Sequence, residues 1–151
     1  MLNHIPLTLC SVVKPPSLRN SAYFSSHTFA SEAEFHQSAD KTLETIENAL
    51  EEQAKEDVET QYASGVLTIR LGDHGIWVIN KQTPNRQLWC SSPISGPKRY
   101  EYVGDGLWAY TRRIGYNKED QNQVSPSYTL FHIVSKEYQE IYGSILRLEA
   151  K

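Results

Sequence analysis

Glu32, His36, Asp40, Glu44, Glu47 and Glu51 follow one another at steps of three or four residues. On a helix that spacing puts them all along one face. Like charges one turn apart destabilise a helix by about 0.2 to 0.5 kcal/mol per pair, so a stripe designed only for stability would interleave lysines. Across this stretch only Lys41 and Lys55 do so, and Glu56, Asp57 and Glu59 extend the acidity beyond it. Carboxylates with one imidazole and no thiolate nearby are a hard donor set suited to ferrous or ferric iron or manganese. Ligands exposed one turn apart hold such ions weakly and through water, which favours transfer over storage.

The element that positions this stripe is legible in the apolar residues beside it. Phe35, Ala39, Leu43, Ile46, Leu50 and Ala54 recur at helical steps, one residue or about 100° away from the acids, and Ser31 with Glu34 forms a capping box that starts the helix. Downstream, Gly65 to Gly72 alternates Leu67, Ile69 and Leu71 inward with Val66, Thr68 and Arg70 outward. Turns at Asp73-His74-Gly75 and Thr83-Pro84-Asn85 then separate strands over Ile76 to Gln82 and Arg86 to Ser91. A loop from Pro93 to Pro97, a strand over Lys98 to Val103, a turn at Gly104-Asp105-Gly106 and a strand over Leu107 to Thr111 follow. Arg112 to Pro126 is polar and aperiodic and reads as a flexible loop. From Ser127 onward, Tyr128, Phe131, Val134, Tyr138, Ile141 and Ile145 return to helical spacing.

Two helices at the ends of a meander imply an α+β fold, a two-layer α-β sandwich with both helices on one face of an antiparallel sheet of five to six strands. Strand alternation sends Trp77, Ile79 and Cys90 toward the helices and Asn80, Gln82, Gln87 and Trp89 to the open face. The polarity of the run Asn80-Lys-Gln-Thr-Pro-Asn-Arg-Gln-Leu-Trp89 is then that of an exposed sheet face with an aromatic anchor for a partner.

Composition excludes several classes. The chain has 151 residues, one domain's worth, with no apolar run long enough to span a bilayer. Cys10 and Cys90 lack the spacing of a disulfide framework or a cysteine zinc site, which fits a reducing compartment. Residues 32 to 59 carry ten acids and two cations, a charge of −8, whereas residues 60 to 151 carry eight acids and eleven cations, +3. Such an acidic face disfavours nucleic acid and attracts cations or basic proteins. Gly104 to Ala109 matches a loose dinucleotide pattern, but a strand rather than a helix follows it, and no phosphate-binding loop, HExxH, EF-hand loop or Glu-x-x-His pair is present. Residues 1 to 30 contain no acid, carry Lys14 and Arg19 and are rich in serine, the composition of a disordered organellar transit peptide. The folded domain is accordingly expected over 31–151.

The stretch WVINKQTPNRQLWCSSPISGPKRYEY, with SGVLTIRLG and the acidic helix before it, resembles the frataxin family from about Glu32 to Tyr110, and more loosely through the last helix. The resemblance implies a mitochondrial matrix protein of iron metabolism and iron–sulfur cluster assembly. It implies iron binding along a ridge at Glu32, His36, Asp40, Glu44, Glu51, Glu52, Asp57 and Glu59, and docking onto a cysteine desulfurase and its scaffold through Asn80, Lys81, Gln82, Gln87, Trp89 and Arg99. Ferrochelatase, and through it heme biosynthesis and iron homeostasis, is a further implied partner, as are oligomers driven by iron from a monomer. Lys41 and Asn48 depart from the family, standing where relatives often carry acids. Two readings stay open: a metal-handling protein with ferroxidase-type chemistry, taking Fe(II) to Fe(III) with oxygen, and a non-catalytic module that activates the desulfurase.

Overall fold

The computed structural model describes residues 29–110 and 126–150. Helix α1 runs Glu32–Gln53. Ser31 caps it by accepting from the Glu34 amide at 3.2 Å, while the Glu34 carboxylate accepts from the Ala30 amide at 2.9 Å, one residue before the cap. Phe35, Ala39, Leu43, Ile46, Ala49 and Leu50 are its buried side. At about 1.5 to 3 kcal/mol for each large apolar side chain removed from water, that side far outweighs the repulsion along the acidic one.

Six antiparallel strands follow in simple meander order: β1 Val58–Ala63, β2 Val66–Leu71, β3 Ile76–Gln82, β4 Gln87–Ser92, β5 Gly96–Gly104 and β6 Leu107–Tyr110. β1 is the strand that apolar alternation does not reveal. Its helix-facing positions are Val58, Thr60 and Tyr62, only half-buried, and Glu59 and Gln61 alternate with them. It pairs with β2 through a tight turn at Ser64-Gly65, both of which have positive φ. The other strands lie within two residues of their expected limits.

Helix α2 spans Leu130–Tyr142, capped by Thr129 and stopped by Gly143 in the left-handed conformation at φ 68. This stop overturns the expectation that Ile145 continues the helical stripe. Ile145 is 69% exposed, and Leu146, 1% exposed, is the tail residue that enters the core. The tail is tied to both helices: Ser135 donates to the Leu146 carbonyl at 2.7 Å, and the Gln53 side chain both donates to and accepts from the Arg147 backbone.

Both helices cover one sheet face, and the core between the layers contains Leu67, Ile69, Trp77, Ile79, Leu88, Tyr100 and Trp108. Phe29 belongs to it as well. Only 8% exposed, its ring stacks on Tyr102 at 4.7 Å and meets Phe35 edge-on at 5.7 Å, and the Arg86 guanidinium donates to its carbonyl. Phe29, which falls in the segment expected to be leader, is thus packed with the core. The loop expected over 112–126 lies outside the described residues apart from Pro126, which opens a short 3-10 turn, Pro126–Tyr128.

Candidate metal ridge and docking face

Along α1 the acids fall into three groups. At the N-terminal end His36 Nε2 lies 3.4 Å from Glu32 Oε1. One turn on, Asp40 is engaged at one oxygen: Lys81 Nζ from β3 sits 2.5 Å from its Oδ1, and the Tyr62 hydroxyl from β1 donates to the same atom. Burial alone would push the Asp40 carboxyl up, but the hydrogen bonds from Lys81 and Tyr62 outweigh it and hold the group below the ordinary aspartate value. Burial and the neighbouring Asp40 charge in turn push the Tyr62 phenol well up.

The third group is Glu44, Glu47 and Glu51. Among the described residues no lysine or arginine forms an ion pair with any of them, and the last turn of α1 contains no basic residue. Burial, then Glu51 and Glu44, push the Glu47 carboxyl above its ordinary value. This crowding is electrostatic strain that a bound cation would relieve.

The remaining ridge candidates are dispersed. Glu52 is exposed near the end of α1. Asp57, in the turn before β1, accepts from the Tyr142 hydroxyl at 3.3 Å, and its carbonyl accepts from the Gly72 amide at 3.1 Å. Glu59 stands opposite Arg70 in the β1–β2 register, on the open side of the sheet rather than toward α1. Among the described residues no three histidine, cysteine, aspartate or glutamate side chains gather into a metal cage.

The open face is built by register. Asn80 stands opposite Trp89, Trp89 opposite Arg99, Gln82 opposite Gln87, and Gln87 opposite Glu101. Trp89 Nε1 donates to Gln87 Oε1 at 3.1 Å, Gln87 Nε2 donates to Glu101 Oε1 at 3.2 Å, and the Arg99 guanidinium lies 4.5 Å from the Trp89 ring centre. A half-buried indole fixed by a hydrogen bond and a cation–π contact is an anchor with little rotamer freedom left to lose. Val78, Asn80, Ser91 and Tyr110 join Trp89 and Arg99 around a shallow groove of about 430 Å³. Lys81 does not share this face. One residue out of phase with Asn80 and Gln82, it points under the sheet to Asp40.

Two site-shaping residues escape the spacing argument. Tyr62 lies in the unrecognised strand. Glu137, 5% exposed on α2, accepts from Trp77 Nε1 at 3.0 Å, from Ser92 Oγ at 2.5 Å and from the Ser95 hydroxyl. Ser92 Oγ also accepts from the Ile94 and Ser95 amides, so Glu137 fixes the loop leading to Lys98 and Arg99. The available signal was an acid standing three residues after Val134 and four before Ile141, inside the apolar stripe.

A family model for the frataxin-like domain matches residues 28–123. The chain belongs to the frataxin-like family. Among curated frataxins, the mitochondrial frataxin homolog of Schizosaccharomyces pombe is 43% identical over 115 residues, 73% of this chain and 65% of that protein. Mitochondrial frataxin of Caenorhabditis elegans is 40% identical over 68% of this chain and 77% of its own length. The Drosophila melanogaster homolog is 54% identical over 44% of this chain, which spans 36% of that protein. These relatives are mitochondrial by name, and the location of this chain is mitochondrial. Frataxin from Psychromonas ingrahamii has the same fold, with a TM-score of 0.59 at 23% identity over 76% of this chain and 94% of that one. Trimeric yeast frataxin complexed with ferrous iron is similar at a TM-score of 0.50 and 28% identity, covering 78% of this chain and 91% of that one. The α+β sandwich inferred from the sequence is the frataxin fold. No helix among the described residues is long and apolar enough to cross a membrane.

Proposed function

We propose that this frataxin-like chain handles ferrous iron in the mitochondrial matrix and promotes iron–sulfur cluster assembly, presenting Fe(II) at a cysteine desulfurase–scaffold complex. The observation that carries the reading is the group Glu44, Glu47 and Glu51, without an ion-pair partner among the described residues, in which burial and then the charges of Glu51 and Glu44 push the Glu47 carboxyl up. A hard divalent cargo relieves that repulsion. The ferrous complex of a yeast frataxin supports the choice of iron. Glu32, His36, Asp40 and Glu52 would supply further water-mediated contacts along the ridge rather than a closed cage, with Asp57 beyond its end and Glu59 apart from it on the open side of the sheet.

In this reading Asn80, Gln82, Gln87, Trp89 and Arg99 dock onto the desulfurase complex while the ridge holds the ion to one side. Lys81 is reassigned to the ridge. Carboxylates favour ferric over ferrous iron, so oxidation at the ridge has a direction: each Fe(II) gives one electron to dioxygen, which is reduced toward water with uptake of protons. Trimers of the yeast relative are the basis for proposing iron-driven oligomers here, and ferrochelatase is a second proposed acceptor of the ion. The alternative, a non-catalytic activator of the desulfurase, is favoured by the fixed Trp89–Gln87–Glu101 chain, which is built for contact.

The test is a two-way comparison. The triple variant E44Q/E47Q/E51Q should lose saturable anaerobic Fe(II) binding and keep affinity for the desulfurase complex, and Trp89→Ala should do the reverse. If the triple variant binds iron like the parent, the metal reading is wrong. If Trp89→Ala leaves desulfurase stimulation intact, the docking assignment is wrong.

A further inference from the structure

Lys81 occupies the place where a cation on the ridge would sit. Its ammonium lies 2.5 Å from Asp40 Oδ1 with its side chain only 14% exposed, and the Tyr62 hydroxyl donates to the same oxygen. The stem is aimed by the hairpin tip beneath it. The Lys81 amide donates to the Gly65 carbonyl at 3.0 Å, and a Cβ at Gly65, whose φ is +76, would stand 2.8 Å from Lys81 Cε. The lysine therefore reaches Asp40 close against residue 65, where any side chain would force its stem to shift.

We propose that Lys81 is an internal rival of the incoming metal ion at Asp40, setting both the affinity and the charge selectivity of that part of the ridge. This rests on the reading of α1 as a metal ridge. A tethered ammonium competes at the high effective concentration of an intramolecular group. A monovalent ion brings no more charge than the ammonium it would displace, so sodium or potassium cannot win the position. A divalent ion brings twice the charge and can. Entry of the ion frees Lys81 from Asp40, and Lys81 sits between Asn80 and Gln82 on β3, so occupancy of the ridge is mechanically linked to the strand that carries the open face.

The experiment is anaerobic calorimetric titration of the full chain with Fe(II), and with Mn(II) as an air-stable probe, for the parent, Lys81→Met, Lys81→Arg, Asp40→Asn and the double variant D40N/K81M. Asp40 is 38% exposed, so solvent screening keeps the pair on the order of 1 kcal/mol, and Lys81→Met should tighten divalent binding roughly fivefold. Lys81→Arg keeps the charge and should stay near the parent. In the Asp40→Asn background Lys81→Met should give no gain, and Lys136→Met, which removes the same charge from α2, should change nothing. Mn(II) should broaden the amide signals of residues 39–41 more strongly in Lys81→Met than in the parent. If the parent binds saturably and Lys81→Met does not tighten binding, or tightens it equally without Asp40, the rivalry is refuted and the metal reading survives. If neither the parent nor any variant binds a divalent ion, the ridge reading itself falls and this inference with it.

Discussion

Truncating Glu137 to alanine tests whether a buried carboxylate on α2 holds the docking face in shape. It accepts from Trp77, Ser92 and Ser95 while 5% exposed. The three donors are not equally vulnerable. Ser95 is exposed and can turn to water, whereas Ser92, 8% exposed, keeps the Ile94 and Ser95 amides on its oxygen but loses the acceptor for its own proton. Trp77 is 0% exposed, so its indole N–H has no substitute. Each orphaned buried donor costs about 1 to 3 kcal/mol, and two are left here, the Trp77 N–H and the Ser92 O–H. Glu137→Ala should therefore lower stability by about 3 to 4 kcal/mol, or roughly 15 to 25 °C in Tm for a domain near 100 residues. Glu137→Gln keeps an acceptor for Trp77 and should cost about 1 kcal/mol. Urea unfolding at constant slope measures the losses, and the Trp77→Phe background isolates the pair. In that background the Glu137→Ala penalty should shrink by about 1 to 2 kcal/mol, since no indole N–H remains to be orphaned. Binding to the desulfurase complex at a temperature where Glu137→Ala is still folded should also weaken, because the 93–95 loop loses its anchor. A loss under about 1 kcal/mol for Glu137→Ala, or strict additivity with Trp77→Phe, would refute the argument.

Glu47→Gln should stabilise the metal-free protein at neutral pH by a few tenths of a kcal/mol, the scale of like-charge pairs on a helix, and weaken metal binding. The sign follows from the raised Glu47 carboxyl: the folded state holds its proton more tightly than the unfolded one, so stability falls as pH rises from about the ordinary value of 4.5 through the folded value. The gain should vanish below about pH 4, read from thermal melts across pH, and a stabilisation that persisted in acid would contradict it. Phe29→Ala should cost about 3 kcal/mol, the lower end for a buried aromatic because the ring lies at the margin of the core. The same loss on deleting residues 1–29, but not on deleting 1–27, would locate the start of the folded unit by differential scanning calorimetry.

What the sequence disclosed and what it hid divide along a physical line. α1 was legible because its buried stripe repeats with the period of the helix, and the open-face placement of Asn80, Gln82, Gln87 and Trp89 because strand parity needs no knowledge of neighbours. β1 was hidden because an edge strand that covers α1 only partly has no reason to be apolar at alternate positions. The Lys81–Asp40 pair and the Glu137 network were hidden because their partners lie 41 to 60 residues apart in the chain, where spacing carries no information. Ile145 was misassigned because a glycine two residues earlier ends the helix by its left-handed φ, and that break outranks any periodicity continuing past it.

The roof over the sheet is supplied by the two ends of the chain, α1 from one and α2 with its Leu146 tail from the other. A polypeptide delivered amino end first would present α1 and most of the meander before α2 could add its share of the core. Until α2 and Leu146 were in place, part of that apolar face would stay open to water, so the domain could close only after its carboxyl-terminal part had been delivered.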